Sequence, residues 1–162
     1  MRGLYLITND DPIQLLLEKL AVALATGQIA ILQYRRKKVA KIDQLFEVEQ
    51  IKALCEKYKV PLVINDDVTL AASFGLGVHL GQSDGEITDA LQQLQPNVII
   101  GRTCLNSLEL AEKAIVEGAT YVAFGAVYAT STKPEAGNVS IDTIRQAKQT
   151  LDVAICTIGG VT

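Results

Sequence analysis

The chain has no tryptophan, one histidine, one methionine and three cysteines, and aromatic residues make up only 5% of its 162 positions. Each scarcity removes a class of function. Cys55, Cys104 and Cys156 are widely spaced, odd in number and free of CxxC or Cys/His spacing. Neither a disulfide framework nor a zinc site is therefore expected, and a reducing, cytoplasmic setting is. A basic field is also missing. Lys and Arg number 15 against 18 for Asp and Glu, giving a net charge of −3 and a pI near 5.2. Nucleic acid is not an expected partner, and an anionic ligand would have to be met by a few placed cations. No run approaches the ~18 consecutive apolar residues of a membrane span. Met1 to Thr8 carries no apolar stretch of signal-peptide length, so no membrane partner is expected.

What is present is the composition of a globular protein, 49% hydrophobic and 20% charged, read as one domain over residues 1–162. Short apolar or β-branched runs alternate with longer amphipathic stretches. The runs are Leu4–Ile7, Ile29–Tyr34, Leu62–Ile64, Gly77–Leu80, Val98–Ile100, Tyr121–Phe124 and Val153–Ile158. Most are apolar on consecutive residues, as strands buried on both faces should be. Helical segments such as Pro12–Thr26, Lys41–Lys59, Leu105–Glu117 and Ile141–Thr150 lie between them, the last three with apolar residues at helical spacing. About seven βα repeats predict a parallel sheet with helical crossovers.

A doubly wound sheet and a barrel both satisfy that pattern. Polar residues follow nearly every predicted strand: Asn9-Asp10, Arg35 to Lys37, Asn65-Asp66, Gly81 to Asp84, Arg102-Thr103, Thr130 to Lys133 and Gly159-Gly160. In a (βα) barrel these ends share one mouth, whereas an open sheet strings them along an edge. The expected fold is α/β of the (βα)8 TIM-barrel type, with about seven βα units and the eighth strand missing. A barrel of this kind usually needs ~200 residues or more, so the chain reads as incomplete at its C-terminus. Its open edges would be covered by another element or by a second copy in a homo-oligomer.

Several strand ends carry groups suited to chemistry, each with a plainer alternative. Gln33, Arg35 and Lys37 alternate within Gln33-Tyr34-Arg35-Arg36-Lys37-Lys38, placing two cations and an amide on one side of an extended chain, as a polyanion requires. A solvated basic run is the alternative. Asp66 and Asp84 follow the third and fourth strands and suit a shared hard cation such as Mg²⁺; helix N-caps are the alternative. Thr130-Ser131-Thr132-Lys133 offers hydroxyls and an ammonium to phosphate oxygens, or is a polar turn before Pro134. Gly159-Gly160 permits close backbone approach to an anion, or is simply a tight turn. His79, inside a strand pattern, reads as a packed, hydrogen-bonded residue rather than an acid or base. Cys104 and Cys156 read as packing residues.

Taken in order, these segments resemble thiamine-phosphate synthase. The resemblance runs from Leu4-Tyr5-Leu6-Ile7-Thr8 to Ile158-Gly159-Gly160-Val161. It is strongest in Gln33 to Lys37, Ile64-Asn65-Asp66, Gly77 to Asp84, Thr130 to Lys133 and Ile158-Gly159-Gly160. It implies a transferase of thiamine biosynthesis. The reaction joins 4-amino-2-methyl-5-hydroxymethylpyrimidine pyrophosphate to 4-methyl-5-(2-phosphoethyl)thiazole, giving thiamine monophosphate and pyrophosphate. It also implies that the Gln33-Tyr34-Arg35-Arg36-Lys37 stretch and Asn65 hold the pyrimidine pyrophosphate, and that Asp66 and Asp84 bind Mg²⁺. Thr130, Ser131, Thr132 and Gly160 would meet the thiazole phosphate, with Thr103 also at the site. Arg35, Lys37 and Lys133 would stabilise the leaving pyrophosphate, with no protein nucleophile.

The chain departs from the family pattern in three places. Thr103 stands where serine is common and keeps the hydroxyl. Cys156-Thr157 replaces a small apolar pair. The loop after an eighth strand, which normally adds backbone groups to the thiazole-phosphate site, is not in the chain. Two other readings stay open at this level. One is a thiazole tautomerase-like isomerase on the same barrel, which uses a histidine after the fifth strand, where this chain has Gly101-Arg102-Thr103-Cys104-Leu105-Asn106. The other is an inactive phosphate-binding barrel fragment.

Overall fold

A computed structural model describes residues 2–128 and 139–160. Strand and helix alternate from end to end: β1 (Leu4–Ile7), α1 (Ile13–Ala25), β2 (Ile29–Tyr34), α2 (Lys41–Tyr58), β3 (Leu62–Asn65), α3 (Val68–Phe74), β4 (Gly77–Leu80), α4 (Ile87–Gln93), β5 (Ile100–Leu105), α5 (Leu108–Glu117), β6 (Tyr121–Gly125), α6 (Ile141–Thr150) and β7 (Ala154–Ile158). Strand order in the sheet follows chain order, β1 to β7. That is the α/β fold expected of a (βα)8 TIM-barrel chain, with seven strands among the described residues. The chain divides into two compact units, Met1–Val78 and His79–Thr162.

In the first unit β1 pairs with β2 and β2 with β3, both parallel, with Gln33 opposite Val63 and Tyr34 opposite Ile64. Ile31, Leu32, Val63 and Ile64 are buried, which is why these strands read as continuous apolar runs rather than alternating ones. The helices bury one stripe each. Leu16, Leu20 and Leu24 lie four residues apart on α1, and Gln44, Val48, Ile51 and Cys55 follow at helical spacing on α2. Each fully buried leucine contributes about 1.5–3 kcal/mol of transfer free energy. Asp67 caps α3, its carboxylate accepting the Leu70 N–H at 2.9 Å.

In the second unit β5 pairs with β6 and β6 with β7, again in parallel. Ser107 caps α5 and Ser140 caps α6 through their hydroxyls. The fifth strand differs from its expected position. It spans Ile100–Leu105 rather than Val98–Ile100, and α5 starts at Leu108 rather than Leu105. Gly101 and the polar pair Arg102-Thr103 mimic the end of a strand in sequence. In the structure they are strand residues, because Arg102 is buried with its guanidinium donating to Gly85 O at 2.6 Å. Gly101 is required by close packing: a Cβ there would lie 1.9 Å from Cζ of Tyr121.

Candidate functional site

At the end of β2 the chain splits its side chains by alternation. Gln33 turns to β1, its amide donating to the Tyr5 hydroxyl at 2.9 Å. Tyr34 and Arg36 reach α2 instead. The Tyr34 hydroxyl donates to Glu47 Oε2 at 2.7 Å, and Arg36 grips the same carboxylate through Nε at 3.1 Å and Nη2 at 2.8 Å. Arg36 Nη1 donates to the carbonyls of Asn9, at 2.8 Å, and Asp11. Burial and the Glu47 carboxylate push the Tyr34 phenol far up, so it stays a donor. Glu47 raises the Arg36 pKa, holding the guanidinium charged. Tyr34 and Arg36, expected among the ligand-binding side chains, are therefore committed to a buried network. The physical reason is that the strand period turns them to the helix rather than to the side shared by Gln33 and Arg35.

Arg35 and Lys37 are placed differently. The Arg35 backbone N–H donates to Thr8 Oγ1 at 2.8 Å. The Lys37 ammonium lies 2.9 Å from Asp66 Oδ2, with Lys37 mostly exposed and Asp66 partly buried. Asn65 is the last residue of β3, and Asp66 follows it with φ of 62°. A non-glycine residue in that left-handed region is uncommon, and such conformations gather at functional sites.

The capping alternative for the aspartates resolves cleanly. Asp67, not Asp66, caps α3, and Lys41 pairs with Asp67. Burial pushes the Asp67 carboxyl up, but Lys41 and the Leu70 N–H outweigh it and hold the pKa below its ordinary value. Asp84 is not a cap either: α4 begins at Ile87, and Asp84 Oδ2 instead accepts the Gly81 N–H at 2.9 Å.

The second unit carries a cluster centred on His79. His79 Nδ1 lies 2.7 Å from the Tyr121 hydroxyl and Nε2 lies 2.9 Å from Thr103 Oγ1. The His79 and Tyr121 rings stack at 5.6 Å. The packed, hydrogen-bonded role expected of His79 is what the structure shows, and Thr103 is the residue that holds its Nε2. Gln82 donates to Thr103 O. Sequence reasoning missed Tyr121 altogether; the signal was Gly101, whose missing side chain makes room for its ring. Burial pushes the Cys104 thiol up to about 11 and the Cys156 thiol up to about 11, so neither is a ready nucleophile. Gly159 and Gly160 both have positive φ, 102° and 63°. A Cβ on Gly159 would meet Ala126 Cβ at 2.5 Å. Thr130, Ser131, Thr132 and Lys133 lie outside the described residues.

Asp66 and Asp84 each offer the kind of carboxylate oxygen that Mg²⁺ prefers. Both are hard oxygen donors, and Mg²⁺ is usually held by one or two carboxylates completed by substrate phosphates and water. Among the described residues no group of three or more His, Cys, Asp or Glu side chains comes together.

A sequence profile described as thiamine monophosphate synthase matches residues 4–162. Among solved structures the chain is similar to thiamine phosphate pyrophosphorylase from Pyrococcus furiosus, at 28% identity and a TM-score of 0.86, over 99% of this chain and 76% of that one. It shares its fold with 3-dehydroquinate dehydratase from Geobacillus kaustophilus HTA426, at 13% identity and a TM-score of 0.64, over 98% and 74% of the two chains. The same holds for a truncated 3-deoxy-D-arabino-heptulosonate 7-phosphate synthase from Thermotoga maritima, at 14% identity and a TM-score of 0.66, over 96% and 63%.

Proposed function

The chain belongs to the thiamine monophosphate synthase family, and on that premise we propose that it condenses 4-amino-2-methyl-5-hydroxymethylpyrimidine pyrophosphate with 4-methyl-5-(2-phosphoethyl)thiazole. The products are thiamine monophosphate and pyrophosphate. The C–O bond to pyrophosphate breaks heterolytically, the leaving group takes the electron pair, and the thiazole nitrogen closes the new C–N bond. The observation that carries this reading is the gathering of Arg35, Lys37, Asn65 and Asp66 at the ends of the paired strands β2 and β3. Cations beside a carboxylate suit a pyrophosphate whose negative charge grows as it leaves.

In this reading Gln33 and Asn65 orient the pyrimidine pyrophosphate, and Arg35 and Lys37 neutralise the developing charge, with Lys133 contributing as the family resemblance implies. Thr130, Ser131, Thr132 and Gly160 would receive the thiazole phosphate on the same ground. The family resemblance likewise implies Asp66 and Asp84 as the residues that would hold Mg²⁺. The metal, when bound, would supply Lewis-acid stabilisation of the phosphate oxygens. Lys37 would exchange its Asp66 partner for a phosphate oxygen when the substrate arrives. We place the protein in the cytoplasm, a setting supported by three free thiols. No helix among the described residues is long and apolar enough to cross a membrane.

The test is to incubate the purified chain with each substrate alone and with both, with and without Mg²⁺, and to separate the products. Thiamine monophosphate that needs both substrates and the metal supports the reading, and Asp66→Asn should reduce its rate about 100-fold. No product from a protein that still melts cooperatively would count against it.

A further inference from the structure

The network of Tyr34, Arg36 and Glu47 takes no part in the chemistry above, yet it lies one residue from both cations that do. We propose that Arg36 is a positioning residue. Its buried guanidinium clamps the β1–α1 loop to α2 and so fixes Arg35 and Lys37 in the geometry that a pyrophosphate group requires. The identity of that ligand rests on the synthase reading; the clamp does not.

The geometry is that of a clamp rather than a site. Arg36 is 6% exposed and Glu47 5%, too enclosed to meet a substrate. The guanidinium donates to four acceptors on two elements: both oxygens of Glu47 on α2, and the carbonyls of Asn9 and Asp11 before α1. The backbone around it is tied as well. Gln44 donates to the carbonyls of Arg36 and Val39, at 3.1 and 3.0 Å, and Arg35 N–H donates to Thr8. Residues 35 to 39 are thus fastened on both sides while Lys37 stands in solvent. A long cation on a loose loop would pay ordering entropy on binding, and a misplacement of about 1 Å can cost ~100-fold in rate. Only arginine fits the role. Its planar fork spans a carboxylate and two carbonyls at once, whereas lysine offers a compact point charge.

Two variants test the clamp, Arg36→Lys and the double variant Arg36→Met with Glu47→Leu. The double variant removes both charges together, a change that buried pairs often tolerate because neither charge is left unpaired. Inorganic pyrophosphate is the probe, its Kd measured by calorimetry on proteins shown to unfold cooperatively, so the readout needs no turnover. The expected result is a Kd about tenfold higher or more in both variants. In turnover, KM for the pyrimidine pyrophosphate should rise by a similar factor while KM for the thiazole phosphate stays within roughly twofold. A merely structural role would lower the melting temperature and leave the Kd and both KM values of the folded fraction unchanged. An unchanged pyrophosphate Kd in the folded double variant would overturn the clamp whatever the turnover. A wild-type protein that binds pyrophosphate but makes no thiamine monophosphate would overturn the synthase reading alone.

Discussion

This molecule holds two polar clusters, one in each unit, and they are built on opposite principles. In the first unit Tyr34, Arg36 and Glu47 enclose a full ion pair. In the second, His79, Tyr121 and Thr103 form a chain of hydrogen bonds among groups that can all be neutral. The charged cluster fastens loops, because a guanidinium can reach several carbonyls at once. The neutral cluster fastens strands, because each of its members sits on β4, β5 or β6 and bonds across the sheet. Both are saturated, and no buried side-chain nitrogen or oxygen among the described residues lacks a partner. Their failure modes differ, since a broken ion pair leaves a charge in a dry place while a broken neutral bond leaves only a dipole.

Removing half of the charged cluster should therefore have the largest effect. Glu47→Leu alone leaves Arg36 buried without its counter-ion and should cost about 3–5 kcal/mol in urea unfolding. The double variant with Arg36→Met should lose much less, and a double loss equal to the sum of the two single losses would show that the pair is not coupled. Gly101→Ala attacks the neutral cluster sterically, since the new methyl must displace the Tyr121 ring from His79. A loss of about 1–3 kcal/mol is expected, read from the thermal midpoint, and a midpoint unchanged by the methyl would contradict the packing described.

Single hydroxyl deletions sharpen the contrast. Tyr34→Phe removes a bond to a charged carboxylate and should cost about 1.5–3 kcal/mol, whereas Tyr121→Phe removes a bond to an imidazole and should cost nearer 1 kcal/mol. Reversal of that order in denaturant titrations would reverse the distinction between the clusters. The smallest effect belongs to Asp67. Its folded pKa lies below the ordinary 3.8, so its pairing stabilises the protein above that value and is lost as pH falls through the folded pKa. The stability difference between wild type and Asp67→Asn, at most about 1 kcal/mol near neutral pH, should start to shrink as pH falls past 3.8 and vanish only below the folded pKa.

Much of this was legible in the sequence. Strands buried on both faces announce themselves as apolar runs, and β1, β2, β4 and α6 fall where periodicity places them. The fifth strand was misplaced because Gly101, Arg102 and Thr103 look like a loop until Tyr121, Gly85 and His79 are seen to partner them. Those partners are remote in sequence, and local pattern cannot supply them. The same limit explains Tyr34 and Arg36. Alternation separates them from Gln33 and Arg35, but only the position of Glu47, nearly two helical turns into α2, shows what they serve. The caps tell the converse story: Asp66 and Asp67 are indistinguishable as letters, and backbone geometry decides which one caps α3 and which one faces Lys37.

The central claim is that the ends of β2 and β3 receive the pyrophosphate half of the reaction. The most direct measurement is the rate of thiamine monophosphate formation, at saturating Mg²⁺, as a function of each substrate for wild type, Arg35→Ala and Lys37→Ala. Both variants should lose kcat/KM for the pyrimidine pyrophosphate by about 100-fold while KM for the thiazole phosphate scarcely moves. A loss confined to the thiazole phosphate, or variants that turn over as the wild type does, would contradict the claim.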